Sequence, residues 1–184
     1  MPRLALELNG VTFGTGISAC RTEGAWQQGL RLLAQLLERG CAAGGAVLNA
    51  AVSACQSCGK WLGALQLLRL AASRRAGASL IGRNAAMGAC QEAGVWHAAL
   101  HILSALALGS LEPSTVTYGT SIGACGKEAK WLEAANLFDA AERGSVETST
   151  AIWNALVCSC KQEGGWASTL ELFRSLALRR KGVD

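Results

Sequence analysis

The sequence has little charge, few aromatic residues and no long apolar run, and each shortage narrows what the chain can be. Charged residues make up only 16% of the 184 residues against 51% hydrophobic ones, a balance too apolar for disorder and sufficient for a continuous core. No run reaches the roughly 18 apolar residues that a membrane-spanning helix needs. The longest, around Leu100 to Leu111, is broken by His101, Ser104, Gly109 and Ser110, so no membrane role is expected. Met1 to Asn9 carries one arginine and no segment apolar enough for a secretory signal, and it is too short for an organelle transit peptide. Glycine-rich phosphate loops, Ser-His-Asp constellations and paired-carboxylate pockets are missing, so the chain is not expected to be an enzyme or to carry a cofactor. The only two histidines, His97 and His101, are four apart on one helix face, but a third ligand and the glutamate of a zinc-protease motif are lacking. No metal is expected. The net charge of +4 permits a nucleic-acid partner without requiring one.

What the sequence does contain is a repeat. Cys20, Cys55, Cys90, Cys125 and Cys160 are 35 residues apart, and each is followed six residues later by a tryptophan: Trp26, Trp61, Trp96, Trp131 and Trp166. A fixed period of this size marks an array in which each unit buries its apolar face against the next. The units are 10–44, 45–79, 80–114, 115–149 and 150–184, together a single solenoid, with 1–9 resembling the tail of a preceding unit and hinting at a longer array. The five periodic cysteines read as small buried hydrophobes, and reduced thiols suit an intracellular compartment. The other three, Cys41, Cys58 and Cys158, complete no zinc spacing.

Each unit reads as two helices. After the tryptophan, apolar or small residues recur at i+3, i+4, i+7 and i+10, as in Trp131, Ala134, Ala135, Phe138 and Ala141, one stripe of an amphipathic helix. The residue three after the tryptophan is always modest in size (Gly29, Ala64, Ala99, Ala134, Thr169), which suits close approach of a neighbouring helix. The tryptophans are expected to be structural. A shorter helix precedes each cysteine and ends near Gly24, Gly59, Gly94 and Gly164, where glycine tolerates the positive φ of a helix stop. Repeat four has Ala129 there, a less favourable turn. Ser114 or Thr115 is expected to cap the helix that follows.

The run from Thr115 to Phe138, TVTYGTSIGACGKEAKWLEAANLF, resembles the pentatricopeptide repeat, as do parts of the other units such as Leu48 to Cys55 and Asn84 to Cys90. The resemblance covers 10–184. It implies an all-α fold, an α-solenoid of helix-turn-helix repeats wound as a right-handed superhelix, that binds single-stranded RNA with one base per repeat. In that family the fifth and last residues of a unit choose the base and the second wedges between bases. Carried over, the base-reading residues are Asn49 with Ser79, Asn84 with Ser114, and Asn154 with Asp184; the first two pairs lean toward cytosine and the third toward uracil. The fifth residues of repeats one and four are Gly14 and Gly119, which have no side chain to read with, and these units are expected to be silent. The base-stacking positions are Val11, Ala46, Ile81, Val116 and Ala151. Phosphate contacts fall to Arg21, Lys60, Lys127, Lys130 and Lys161, near the turn between the helices.

The family likeness further implies a role in organellar RNA processing, stability or translation, in a mitochondrion or plastid. The competing expectation is a helical-repeat scaffold that holds a protein or peptide on its concave face.

Overall fold

The computed structural model describes residues 10–20, 25–38, 44–73, 79–108, 112–144, 146, 149–160, 170 and 174. Among these, all regular structure is helical. The elements are α1 (Gly10–Ala19), α2 (Trp26–Glu38), α3 (Gly45–Ser57), α4 (Trp61–Ser73), α5 (Leu80–Ala93), α6 (Trp96–Leu108), α7 (Thr115–Lys127), α8 (Trp131–Arg143) and α9 (Thr150–Cys160). The first helices begin at 10, 45, 80, 115 and 150, and the second helices at 26, 61, 96 and 131. Each tryptophan in these units is therefore the first residue of its helix.

The chain divides into two compact units, Met1–Ala93 and Gly94–Asp184. In the first, α1, α3 and α5 pack in succession, α2 lies against α1 and α3, and α4 lies against α3 and α5. In the second, α7 packs on α9, α6 lies against α7, and α8 lies against α7 and α9. A second helix such as α4 or α8 thus faces two first helices at once, and this sets which residues it buries. Ala64, Leu67 and Ala71 are buried in α4, and Ala134, Leu137, Phe138 and Ala141 in α8. In α4, α6 and α8 the buried face is rotated away from the expected stripe: the position six after the tryptophan (Leu67, Ile102, Leu137) joins it, whereas Leu32 in α2 is half-buried, as are Trp26, Trp61, Trp96 and Trp131.

The expected close approach is present. Ala64, Ala99 and Ala134 have no exposed surface, and a Cβ on Gly29 would stand 3.3 Å from Cys20 Cβ. The first helices supply the rest of the core, with Ile17, Val52, Met87 and Ile122 fully or almost fully buried. Buried hydroxyls turn back on their own helix: Ser121 Oγ donates to the Thr117 carbonyl at 3.0 Å and Ser159 Oγ to that of Leu156 at 2.6 Å. Among the described residues no buried side-chain polar atom lacks a partner, as burial of a hydroxyl requires.

The turn inside a unit has one geometry in repeats two and four. Lys60 N–H donates to the Cys55 carbonyl at 2.9 Å and Gly59 N–H to that of Gln56 at 3.0 Å; Lys130 and Ala129 repeat this on Cys125 and Gly126 at 3.0 and 3.3 Å. These are the paired bonds of a Schellman stop, which needs a left-handed residue. Gly59 has φ 60°, Gly94 φ 73°, and Ala129 is forced to φ 54°. Gly24 and Gly164 lie outside the described residues.

Candidate nucleic-acid interface

The second and fifth residues of the units stand on the first turn and a half of the first helices. No acidic residue occupies the first turn of α3, α5, α7 or α9, so the positive end of each helix dipole is left uncompensated there. In α5 and α7 the second residue is a large branched aliphatic turned to solvent: Ile81 is 69% exposed and Val116 59%. Ala46 and Ala151, at the same position in α3 and α9, are also exposed. None of these four side chains is used for helix packing. Val11 begins α1, but its side chain lies outside the described set.

The fifth residues follow less than one turn further on. Asn49 and Asn84 are half-buried and Asn154 is exposed. In repeat two the structure brings the two expected readers together: Ser79 Oγ donates to Asn49 Oδ1 at 3.1 Å, although 30 residues separate them. The same hydroxyl accepts from Gly82 N–H at 3.2 Å, capping α5. The bond occupies one of the two lone pairs of the Asn49 carboxamide oxygen, and among the described residues the amide nitrogen meets no acceptor. Asn49 therefore presents a hydrogen-bond donor.

Ser114 also caps a helix. Its side chain accepts from Thr117 N–H, and Thr117 Oγ1 accepts from Ser114 N–H at 3.0 Å, a reciprocal capping box at the start of α7. Serine as the last residue of a unit thus has a local task besides any contact with a ligand. Gly44, the last residue of repeat one, precedes α3 with no side-chain cap, and Asp184 lies outside the described residues.

The candidate phosphate contacts stand elsewhere on the helices. Lys60, Lys127 and Lys130 are exposed, but Lys60 lies in the turn beyond Ser57, the last residue of α3, which is about 12 Å along the helix from Asn49. The Lys60 ammonium lies 5.6 Å from the centroid of the Trp26 ring, a cation–π contact between the turn of repeat two and the start of α2 in repeat one. Arg21 and Lys161 lie outside the described residues. A basic residue that the periodic reading passed over is closer to the readers: Arg83 is half-buried on α5, immediately before Asn84. The other first helices carry Phe13, Leu48, Tyr118 or Trp153 at that position, and a departure from that apolar pattern was the signal available.

The cysteines take no part in this surface. Burial pushes the thiols of Cys55, Cys90 and Cys125 up to about 11, so they remain protonated and unreactive at neutral pH. His97 and His101 are exposed, and His97 stacks on Trp96 with ring centroids 3.5 Å apart. Among the described residues no group of three or more His, Cys, Asp or Glu is placed to hold a metal ion, and no helix is long and apolar enough to cross a membrane.

No protein-family model and no curated protein matches the sequence. Solved structures match the fold. The pentatricopeptide repeat protein PPR10 from maize is similar over 95% of this chain and 25% of its own, with a TM-score of 0.76 and 20% identity. PPR10 in complex with an 18-nt psaJ RNA element is similar over 94% of this chain and 25% of its own, with a TM-score of 0.75 and 16% identity. The chain spans about a quarter of the length of these proteins, and its fold is that of a pentatricopeptide-type helical-repeat solenoid.

Proposed function

We propose that this chain binds single-stranded RNA on the exposed first turns of its first helices, one base per repeat, with Asn49, Asn84 and Asn154 as base readers. The observation that carries the reading is the arrangement around Asn49: an amide oriented by Ser79, on the same helix turn as the exposed second residue. Ile81 and Val116 offer branched apolar faces against which unstacked bases can rest, a use that the core does not make of them. The uncompensated helix N-termini and Arg83 supply positive potential beside the readers. The lysines near the inter-helix turns contribute more distant attraction to the phosphates.

Asn49 donates through its amide nitrogen, so it suits a base edge that presents a carbonyl oxygen or ring nitrogen, as cytosine does with O2 and N3. Purine edges carry such acceptors too, so the pyrimidine lean assigned to Asn49, Asn84 and Asn154 rests on the pentatricopeptide resemblance. The role is binding alone, holding, shielding or presenting a transcript, with a mitochondrion or plastid as the location that the pentatricopeptide resemblance of the sequence implies. With three informative repeats, the chain selects a short pyrimidine-containing stretch rather than a unique transcript.

The test is a titration with short pyrimidine-rich and purine-rich RNA strands over a range of ionic strength. Binding should prefer pyrimidines and weaken as salt rises, with a slope of about −0.7 per phosphate contact. Replacing Asn49, Asn84 and Asn154 together by alanine should abolish the preference while leaving the salt slope intact. Absence of binding at low salt, or a base preference that survives the triple replacement, would refute the assignment. Capture of an apolar peptide that depends on Ile81 or on Val116, without RNA binding, would establish the scaffold role instead.

A further inference from the structure

Around Asn49 the decisive atom is one that is missing. Gly82, the third residue of repeat three, is buried beneath the Asn49 side chain. A Cβ at Gly82 would stand 2.5 Å from Asn49 Oδ1 and 3.5 Å from its Cγ, inside the space that the carboxamide fills. Gly82 also donates its N–H to Ser79 Oγ at 3.2 Å, and Ser79 donates to Asn49 at 3.1 Å. The reader, its partner and the backbone of the next repeat therefore close one circuit.

Repeats one and four show the reciprocal arrangement. Their fifth residues are Gly14 and Gly119, and the third residue of the following repeat is Val47 or Ile152. A Cβ on Gly14 would lie 3.7 Å from Val47 Cγ2, and one on Gly119 3.6 Å from Ile152 Cγ1. Val47 is 5% exposed and Ile152 not at all. Volume is thus exchanged across each pair: asparagine against glycine, or glycine against a β-branched side chain. The exchange holds in repeats one, two and four, in both compact units. For the reader Asn84 the third residue of the following repeat is Thr117, buried and β-branched but polar, so it is an apolar branched side chain, not β-branching alone, that marks the repeats without a reader.

From this, and resting on the RNA reading above, we propose that the third residue of the following repeat is a specificity-determining position, which opens or plugs the seat of the base reader. Val47 and Ile152 fill the room that an amide needs, so a glycine at the fifth position is one half of a matched pair. Supplying asparagine alone at Gly119 does not create a reader, because its carboxamide would be directed into Ile152 as that of Asn49 is directed over Gly82. Repeat four holds the remaining part already: its last residue is Ser149, where repeat two has Ser79. Repeat one lacks it, because Gly44 ends that unit.

The experiment uses the full chain, melting curves, and short single-stranded RNAs in which one base at a time is changed. Gly82→Val should lower the melting temperature and remove the base preference at the register read by Asn49, a loss on the order of tenfold for one base-edge hydrogen bond. Asn49→Gly with Gly82→Val rebuilds the plugged pair and should recover the melting temperature without the preference. Gly119→Asn with Ile152→Gly should add a preference of similar size at the register of repeat four, whereas Gly119→Asn alone should not. Additive effects of the Asn49 and Gly82 changes on melting would overturn the steric pairing, a readout that needs no RNA. Wild-type binding with no new preference in a folded Gly119→Asn/Ile152→Gly variant would overturn the specificity role alone. Failure of the wild-type chain to bind any RNA would overturn both the RNA reading and this role.

Discussion

Ala129→Gly should stabilise the protein, and the magnitude can be worked from the turn it occupies. Ala129 sits at φ 54° in a Schellman stop that matches, bond for bond, the one closed by Gly59. A residue with a Cβ is disfavoured in the left-handed region by about 1–2 kcal/mol. Glycine removes that strain but frees the unfolded chain, which returns roughly 0.4–1 kcal/mol. The net gain is about 0.5–1 kcal/mol, or a rise of roughly 1–4 °C in Tm for a chain of this size. Urea denaturation monitored by far-UV circular dichroism would read it as a higher midpoint at unchanged m. Gly59→Ala provides the mirror image: a Cβ there would meet Glu92 Cβ at 3.6 Å, an ordinary contact, so only backbone strain is added and about 1 kcal/mol should be lost. RNA affinity should not change in either variant, because Ala129 lies beyond Lys127, the last residue of α7, which is about 12 Å along the helix from Gly119. A lower midpoint for Ala129→Gly, or no loss for Gly59→Ala, would refute the claim that the left-handed turn controls this junction.

Two further outcomes are expected. Phe138 is 1% exposed and meets Trp153 edge to face at 4.6 Å, so Phe138→Ala should cost about 3–5 kcal/mol, while half-buried Trp96 should cost roughly half as much on truncation; equal losses in a denaturation series would contradict the burial. The buried thiols of Cys55, Cys90 and Cys125 are raised from 9.0 to about 11, so their contribution is fully present below pH 9 and is lost as pH rises toward 11, where the unfolded chain ionises and the folded one does not. Each thiol should cost up to about 2–3 kcal/mol by pH 11, and Cys55→Ala should flatten the alkaline limb of stability against pH; an unchanged limb would refute the assignment.

Helix starts were legible because the tryptophan and the turn residue act locally. Trp61 and Trp131 open helices whatever packs on them, and the left-handed stop is visible as Gly59 or Gly94 and, less comfortably, as Ala129. The buried face of the second helices was only partly legible. Leu67 and Leu137 lie outside the stripe drawn from the tryptophan, and they become buried because α4 and α8 each face two first helices rather than one. The same one-sided reading placed the tryptophans deeper than they lie. A period locates a residue along its helix, but the direction from which a second neighbour arrives is not written in the spacing.

The sequence by itself determined the period, the two helices of each unit, the stops between them and the positions where readers could stand. These depend on backbone preferences and on residues within one or two turns of each other. The helix lengths were not among them: the first helices α3, α5 and α7 have 13, 14 and 13 residues, no shorter than the helices that follow them. Only the tertiary structure decided what those positions can do. Asn49 is oriented by Ser79 from 30 residues away, its room is left by Gly82, and the corresponding room beside Gly14 and Gly119 is filled by Val47 and Ile152. Ile81 and Val116 are as apolar as the core residues beside them, and only the packing of the helices leaves them in solvent. Hydrogen-bond geometry and excluded volume act between atoms that are neighbours in space, and it is stacking one repeat on the next that makes these atoms neighbours.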